Sequence, residues 1–467
     1  MRVLIVLLIA GAAAGCTVGP DYKRPIVTVP DAYRGAAGPE PLATADAASI
    51  GDQGWWDVFQ DDQLRELIRT ALQQNLDLRI AATRILEAQA QLGVSRADQF
   101  PTVDAGAATS RNRAAKSVAP VALDPYQKSN FELTATAAWE LDFWGKFRRA
   151  SETARAGLLA SEWGRRAVDT SLVSQVASAY FELRAFDLQL EIATHTLASR
   201  RESLRLTEVA ANGGATSLID VRQAEQLVFN AAATIADLER QIAQQENFIS
   251  TLLGRNPSDV PRGASLEQQA HVPDIPVGLP SALIERRPDI RQAEQLLIAA
   301  NANIGVAKAA YFPQISLTGS GGVQSAALSA LFTTPAGLWF TGAGLTQPIF
   351  NAGRTRSRVA LSKAQQEEAV LAYQQAIQQS LRDVSDALVG YRKGRDFREQ
   401  QQLLTRAATD ARRLADIRYR GGATSYLEVL DSDTRMFSAE LGTTQAELRE
   451  LLSLVQVYRA LGGGWQP

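Results

Sequence analysis

Apolar residues recur at a 4-3-4-3-4-3-4 spacing through Leu172, Val176, Ala179, Leu183, Phe186, Leu190, Ala193 and Leu197, and Ile377, Leu381, Val384, Leu388 and Tyr391 repeat it. Such a seam lets two helices wind round each other, with each apolar side chain filling a hole on its neighbour. Residues 146 to 211 contain no proline, so a helix of that length would run about 100 Å at 1.5 Å per residue. A second period governs residues 129 to 143. There Phe131, Leu133, Ala135, Ala137, Trp139, Leu141 and Phe143 alternate with Asn130, Glu132, Thr134, Thr136, Ala138, Glu140 and Asp142. Period two with one apolar face over roughly ten residues, with aromatics near the ends, predicts a strand of a transmembrane barrel. Residues 101 to 111, 313 to 323 and 338 to 349 are three further candidates with weaker, glycine-rich alternation, and 112 to 128 and 324 to 337 are then the loops at the far ends.

These elements come as two copies. A shift of 212 residues aligns Asp77-Leu78-Arg79 with Asp289-Ile290-Arg291, Leu92-Gly93-Val94 with Ile304-Gly305-Val306, and Phe100-Pro101 with Phe312-Pro313. A shift of 208 aligns Gly213-Gly214-Ala215-Thr216-Ser217 with Gly421-Gly422-Ala423-Thr424-Ser425, Asp220-Val221 with Glu428-Val429, and Leu253-Gly254 with Leu461-Gly462. A repeat this long decides the fold before any single element does. The predicted order in each copy is helix, strand pair, very long helix, Gly-Gly break and return helix. Residues 61 to 254 form the first copy and 281 to 462 the second. Between them, 255 to 280 carry Pro257, Pro261, Pro273, Pro276 and Pro280, which forbids a long helix and marks a connector. Four strands leave two edges that lipid cannot satisfy, so a barrel built from them must close between subunits.

Composition excludes other classes. With 48 Lys plus Arg against 50 Asp plus Glu and a net charge of -2, the chain lacks the basic excess of a nucleic-acid binder. One cysteine makes no internal disulfide, and the two histidines, His195 and His271, supply no zinc cluster. No metal or cofactor is expected. There is no nucleophile-elbow GxSxG and no phosphate-binding GxxxxGK[ST]. An enzyme is therefore not expected, and His195 is read as a packing or surface residue of a helix. A purely structural coiled-coil spacer would leave the amphipathic strands without a purpose.

Arg2, the apolar run Val3 to Ala14 and the small residues Ala13-Ala14-Gly15 before Cys16 read as a secretory signal, too short to span a bilayer. The segment resembles a bacterial lipoprotein signal, which implies removal of residues 1 to 15 and acylation of Cys16 as a lipid anchor. Thr17 after the cysteine resembles the outer-membrane address. Residues 16 to 60 would then hold the anchor and an equatorial segment, and 463 to 467 a C-terminal tail.

The mature chain resembles the outer membrane efflux protein family of TolC-like outer membrane factors, especially its acylated, OprM-like branch. Carrying the resemblance are Cys16-Thr17-Val18-Gly19-Pro20-Asp21-Tyr22, Trp55-Trp56-x-x-Phe59 with Asp62-x-Leu64, the twofold repeat, Phe312-Pro313, and Arg418-Tyr419-Arg420-Gly421 through Leu427-Glu428-Val429-Leu430-Asp431. It implies a mainly helical fold with a transmembrane β-barrel: a homotrimer whose strands form one 12-stranded barrel and whose long antiparallel helices form a coiled-coil tunnel in the periplasm. It also implies a passive outer-membrane conduit served by a periplasmic adaptor and an inner-membrane RND-type pump. A type I protein-secretion conduit on the same scaffold is the alternative, disfavoured by the lipoprotein start.

The two Gly-Gly breaks, Gly213-Gly214 and Gly421-Gly422, are expected as helix-ending turns; the resemblance adds contact with the adaptor. Glu428 and Asp431 stand three residues apart on one helical face. In a threefold channel they would ring the aperture with carboxylates that favour cations and respond to pH and divalent ions. The resemblance assigns Asp431 to the family's closed aperture, with Glu428 where Asp is commoner. It makes Tyr419 a tether of the inner coiled coil and Asp220 its acidic partner. Thr424 stands where TolC-like chains have an arginine, so Arg418 or Arg420 is expected to substitute by pairing with Asp220.

Overall fold

The computed structural model describes residues 17–34, 49–113, 115, 127–269, 275 and 280–463. Helices α1 (Trp55–Val58), α2 (Asp62–Gln74) and α3 (Leu76–Ala97) lead to strands β1 (Thr102–Arg113) and β2 (Gln127–Glu140), then to α4 (Lys146–Asn212) and α5 (Leu218–Leu252). After a short α6 (Pro280–Arg286) the order returns as α7 (Pro288–Ala309), β3 (Gln314–Ser325), β4 (Gly337–Thr346), α8 (Arg354–Arg420) and α9 (Tyr426–Ala460). Equivalent helices match in length: α3 and α7 have 22 residues, α4 and α8 have 67, and α5 and α9 have 35. In the connector the described residues hold only a single turn, Leu266–Gln268. No helix among the described residues is long and apolar enough to cross a membrane, which says nothing of a barrel.

Contacts divide the chain into two compact units, and each draws on both copies. The first takes in Met1–Ile26, Arg84–Ser161 and Ala293–Tyr373. Its sheet is antiparallel in the order β1-β2-β3-β4. The register puts Ala107 opposite Leu133, Leu133 opposite Val323, and Trp139 opposite Leu317, while Gly321 faces Trp339 and Ile315 faces Leu345. Opposed residues share a face, so Val103, Leu133, Trp139, Leu317, Val323, Trp339 and Leu345 line one side. Glu132, Thr134, Thr136, Ser316, Thr318 and Ser320 line the other. Trp339, Leu345 and Val103 are exposed. Strand β4 stops at Thr346, short of the expected Ile349, because Pro348 has no N–H for a ladder. The expected loop 324 to 337 contains two short turns, Leu328–Ala330 and Thr334–Ala336. Most of the loop 112 to 128 lies outside the described residues.

The second unit takes in Val27–Thr83, Glu162–Gln292 and Gln374–Pro467. Its core is the predicted seam: Leu172, Val176, Ala179 and Leu183 of α4 are buried with Val384, Leu388 and Tyr391 of α8, whereas Phe186 and Leu190 are half-buried. Full burial of each large aliphatic side chain is worth about 1.5–3 kcal/mol. Phe59 closes the core edge-on, its ring 6.2 Å from Phe181 and 5.8 Å from Tyr458. Behind it Asp61 caps α2 and accepts hydrogen bonds from Tyr180 and Gln269, each at 2.9 Å. His195 lies on the surface, 4.0 Å from Glu191.

Candidate channel constriction

The two long helices end alike. Ala215 N–H donates to the Ala210 carbonyl at 2.8 Å and Gly214 N–H to Ala211 at 3.0 Å; Ala423 N–H reaches Arg418 at 2.8 Å and Gly422 N–H reaches Tyr419 at 2.9 Å. This bond pair closes a helix through one left-handed residue. Gly214 and Gly422 supply it, with φ of +73° and +69°, while Gly213 and Gly421 do not need positive φ.

Beyond the turns the copies diverge. Ser217 caps α5, its Oγ accepting from Ile219 N–H at 3.1 Å, and the Asp220 carboxylate accepts from Ser217 N–H at 3.1 Å and from the Thr216 hydroxyl at 2.5 Å. That is a capping box, which satisfies amides the helix start leaves unpaired. In the second copy Ser425 makes no side-chain cap bond. Glu428, one methylene longer than Asp220, accepts instead from Thr424 and, across the turn, from Arg418 Nη1 at 2.6 Å. Asp431 accepts from Arg435 Nε at 2.8 Å, one turn along α9. Arg420 pairs with Asp416 at 2.9 Å. Asp220 thus holds its own helix start, and the expected pairing with Arg418 or Arg420 is replaced by Glu428 and Asp416. The Glu428 and Asp431 carboxylates are not bare, because each has an arginine from its own chain. Both pairs are open to water, with 37% of the Glu428 side chain and 57% of Asp431 exposed.

Tyr419 packs its ring 5.1 Å from that of Tyr426, beside Ala224, Ala415, Val429 and Leu430. Burial holds the Tyr426 phenol above its ordinary pKa, against the opposing effect of a hydrogen bond with Thr207. About two turns up α9 from the tip, Arg200 Nε donates to Asp433 at 2.8 Å, with Arg412 3.7 Å from the same carboxylate. Sequence reasoning passed over this cluster, although the seam spacing carried past Leu197 lands on Arg200, Leu204 and Thr207. Among the described residues no group of three or more His, Cys, Asp or Glu forms a metal site. Cys16 lies outside the described residues.

The sequence matches the outer membrane efflux protein family twice, over residues 67–255 and 279–463. It is 36% identical over 452 residues to the probable efflux pump outer membrane protein TtgC of Pseudomonas putida, covering 97% of this chain and 93% of the relative. It is 34% identical over 464 residues to the cation efflux system protein CusC of Escherichia coli, covering 99% of both. The structure resembles the open state of the Neisseria gonorrhoeae MtrE outer membrane channel with a TM-score of 0.85 and 33% identity, over 96% of this chain and 98% of that one. The chain belongs to the outer membrane efflux protein family.

Proposed function

We propose that this chain is the outer-membrane channel of an efflux pump, and that three copies close one barrel and conduct passively, with no catalytic step, what an inner-membrane RND-type pump delivers through a periplasmic adaptor. The sheet carries the reading. Among the described residues it has four strands, one apolar face, and edges β1 and β4 with no partner strand. In lipid each unpaired backbone group costs several kcal/mol, and known barrels begin at about eight strands. Side-by-side copies pair β1 of one with β4 of the next, and three of them give twelve strands. Acylated Cys16 would hold each chain to the membrane.

The constriction follows from the second copy alone. Glu428 and Asp431 stand at i and i+3, and a threefold axis repeats them into an aperture ring with their arginines between. An exposed ion pair is worth about 0–1 kcal/mol and is screened by salt, so a divalent cation competes readily for Asp431 and the ring stays cation-selective. Gly213, Gly214, Gly421 and Gly422 would face the adaptor and Tyr419 would tether neighbouring hairpins, whereas Asp220, Arg418 and Arg420 have their partners within their own hairpins.

The test is single-channel conductance of the purified trimer in planar bilayers, with wild type compared to the Glu428→Ala, Asp431→Ala double variant across a calcium titration. A small cation-selective current that rises and loses calcium sensitivity in the variant is expected. A verified trimer that passes no current would overturn the channel, and a variant identical to wild type would remove the acidic aperture.

A further inference from the structure

We propose that Arg200 and Asp433 form a buried register lock between the two hairpins, and that this lock, away from the tip residues, sets the channel's resting conductance; the proposal rests on the channel reading above. Both residues occupy seam positions. Arg200 follows Ala193 and Leu197 in the 4-3 spacing of α4, and Asp433 stands between Leu430 and Phe437 in that of α9. Both are almost fully buried, with side chains 3% and 9% exposed.

The pair ties four helices at one point. From α4, Arg200 donates to Asp433 on α9 at 2.8 Å and to the Leu227 carbonyl of α5 at 3.0 Å. Its guanidinium lies 4.9 Å from the centre of the Phe437 ring, within cation–π range. Arg412 of α8 approaches Asp433 from the other side. Arg200 Nη2 has no partner among the described residues, so its compensation rests on Asp433. The neighbouring cavity, lined by Leu227, Tyr426 and the pair itself, measures about 10 Å³. That is room for about one water beside the closed pair.

Apolar seam residues exchange one neighbour for another when helices slide, and so prefer no register strongly. A buried ion pair is satisfied in one register only, and parting it strands Arg200 in the seam and leaves Asp433 to the partly exposed Arg412 alone. The lock exists once per chain. At the 208-residue shift Arg200 corresponds to Ala408 and Asp433 to Glu225, and Glu225 pairs with Arg222 of its own helix. Movement of α8 and α9 against α4 and α5 therefore has to part this pair.

The experiment measures resting conductance in planar bilayers and heat dissociation of the trimer in parallel, for wild type, Asp433→Asn, and the double variant Arg200→Met, Asp433→Leu. The double variant removes both charges of the pair and leaves Arg412, a quarter exposed, to Asp416 at 4.0 Å, so it keeps trimer stability near wild type while it loses the register preference. About a tenfold rise in resting conductance is expected in both variants: in Asp433→Asn from the uncompensated Arg200, and in the double variant from the loss of the one contact that prefers a single register. A double variant with wild-type heat stability and wild-type resting conductance would overturn the lock, even if Asp433→Asn leaks or fails to assemble. A wild-type trimer without current would overturn the channel and the lock together.

Discussion

Replacing Asp61 with alanine tests whether one carboxylate holds the connector against the helical core. Asp61 accepts from Gln63 N–H at 2.8 Å, Leu64 N–H at 3.1 Å, and at 2.9 Å each from the Tyr180 hydroxyl, Ala264 N–H and Gln269 Nε2. The first two are the cap of α2, worth about 1 kcal/mol. The other three come from α4 and the connector, and with Asp61 only 6% exposed each stranded donor costs about 1–3 kcal/mol. Neighbouring losses do not add fully, so the total is about 5 kcal/mol. Unfolding entropy of about 2.1 cal/mol/K per residue over 467 residues is about 1 kcal/mol/K, which makes the expected fall in Tm about 5 °C. The ratio is unchanged if chains of an oligomer melt together. Burial opposes the charge on Asp61, but hydrogen bonds from Gln269, Leu64, Tyr180 and Gln63 outweigh it and hold the carboxyl below its ordinary pKa. A depressed folded value means that the stabilisation is present above the unfolded pKa, about 4, and is lost as pH falls through the folded value. The gap between wild type and Asp61→Ala therefore narrows below about pH 4. Circular dichroism melts of the detergent-purified protein at pH 7 and in a descending pH series read both effects. A variant melting within about 1 °C of wild type at pH 7 would refute the reasoning, given the spacing worked out above.

Gly422→Ala forces a side chain into φ of +69° and should destabilise by about 1 kcal/mol, whereas Gly421→Ala should be near neutral; chemical denaturation of both variants separates them. Arg435→Ala releases Asp431 from its 2.8 Å ion pair, so the reversal potential in a salt gradient should move toward stronger cation selectivity, and no movement would mean that Asp431 does not face the current. Asp220→Ala removes the capping box of α5, at about 1 kcal/mol, and should raise leak conductance. Unchanged closed-state current would take Asp220 out of the gate.

What the sequence made legible were the features set by local period. The 4-3 seam placed Leu172 through Leu183 in the core, and the alternation through Phe131 to Trp139 gave β2 and its apolar face. The two shifts, 212 and 208, predicted the same order of elements twice, and the folded helices also match in length. What it hid were partners chosen by the fold. Arg200 and Asp433 are 233 residues apart, and Asp61 reaches residues 203 and 208 positions away. Glu428 and Asp431 read as bare carboxylates because Arg418 lies ten residues before Glu428 on the other side of a turn, and only the folded Gly421-Gly422 end brings it back. A charged residue on a seam was nonetheless a readable signal. The spacing that ends on Leu197 continues to Arg200, and a heptad position filled by arginine demands an acid on the facing helix.

The copies agree where the scaffold needs them to agree and differ where a channel would be controlled. Both ends keep Gly-Gly-Ala-Thr-Ser and the same pair of closing hydrogen bonds, because each long helix must reverse within a few residues. Just before that turn Ala210 gives way to Arg418, and after it Leu218 gives way to Tyr426, Asp220 to Glu428 and Gln223 to Asp431. Leu218 is exposed whereas Tyr426 is buried, so the second return helix enters its bundle directly and the first leaves its start in solvent. The first copy spends its acid on a helix cap that fixes its own end; the second leaves its cap unmade and places its acid in an ion pair open to water. A capped end is rigid, and an exposed ion pair is exchangeable with salt and cations. Duplication followed by divergence at these few positions accordingly yields one hairpin suited to serve as a frame and one suited to respond. The Arg200–Asp433 pair, which belongs to neither copy alone, is a buried ion pair that joins the two hairpins within their shared apolar core.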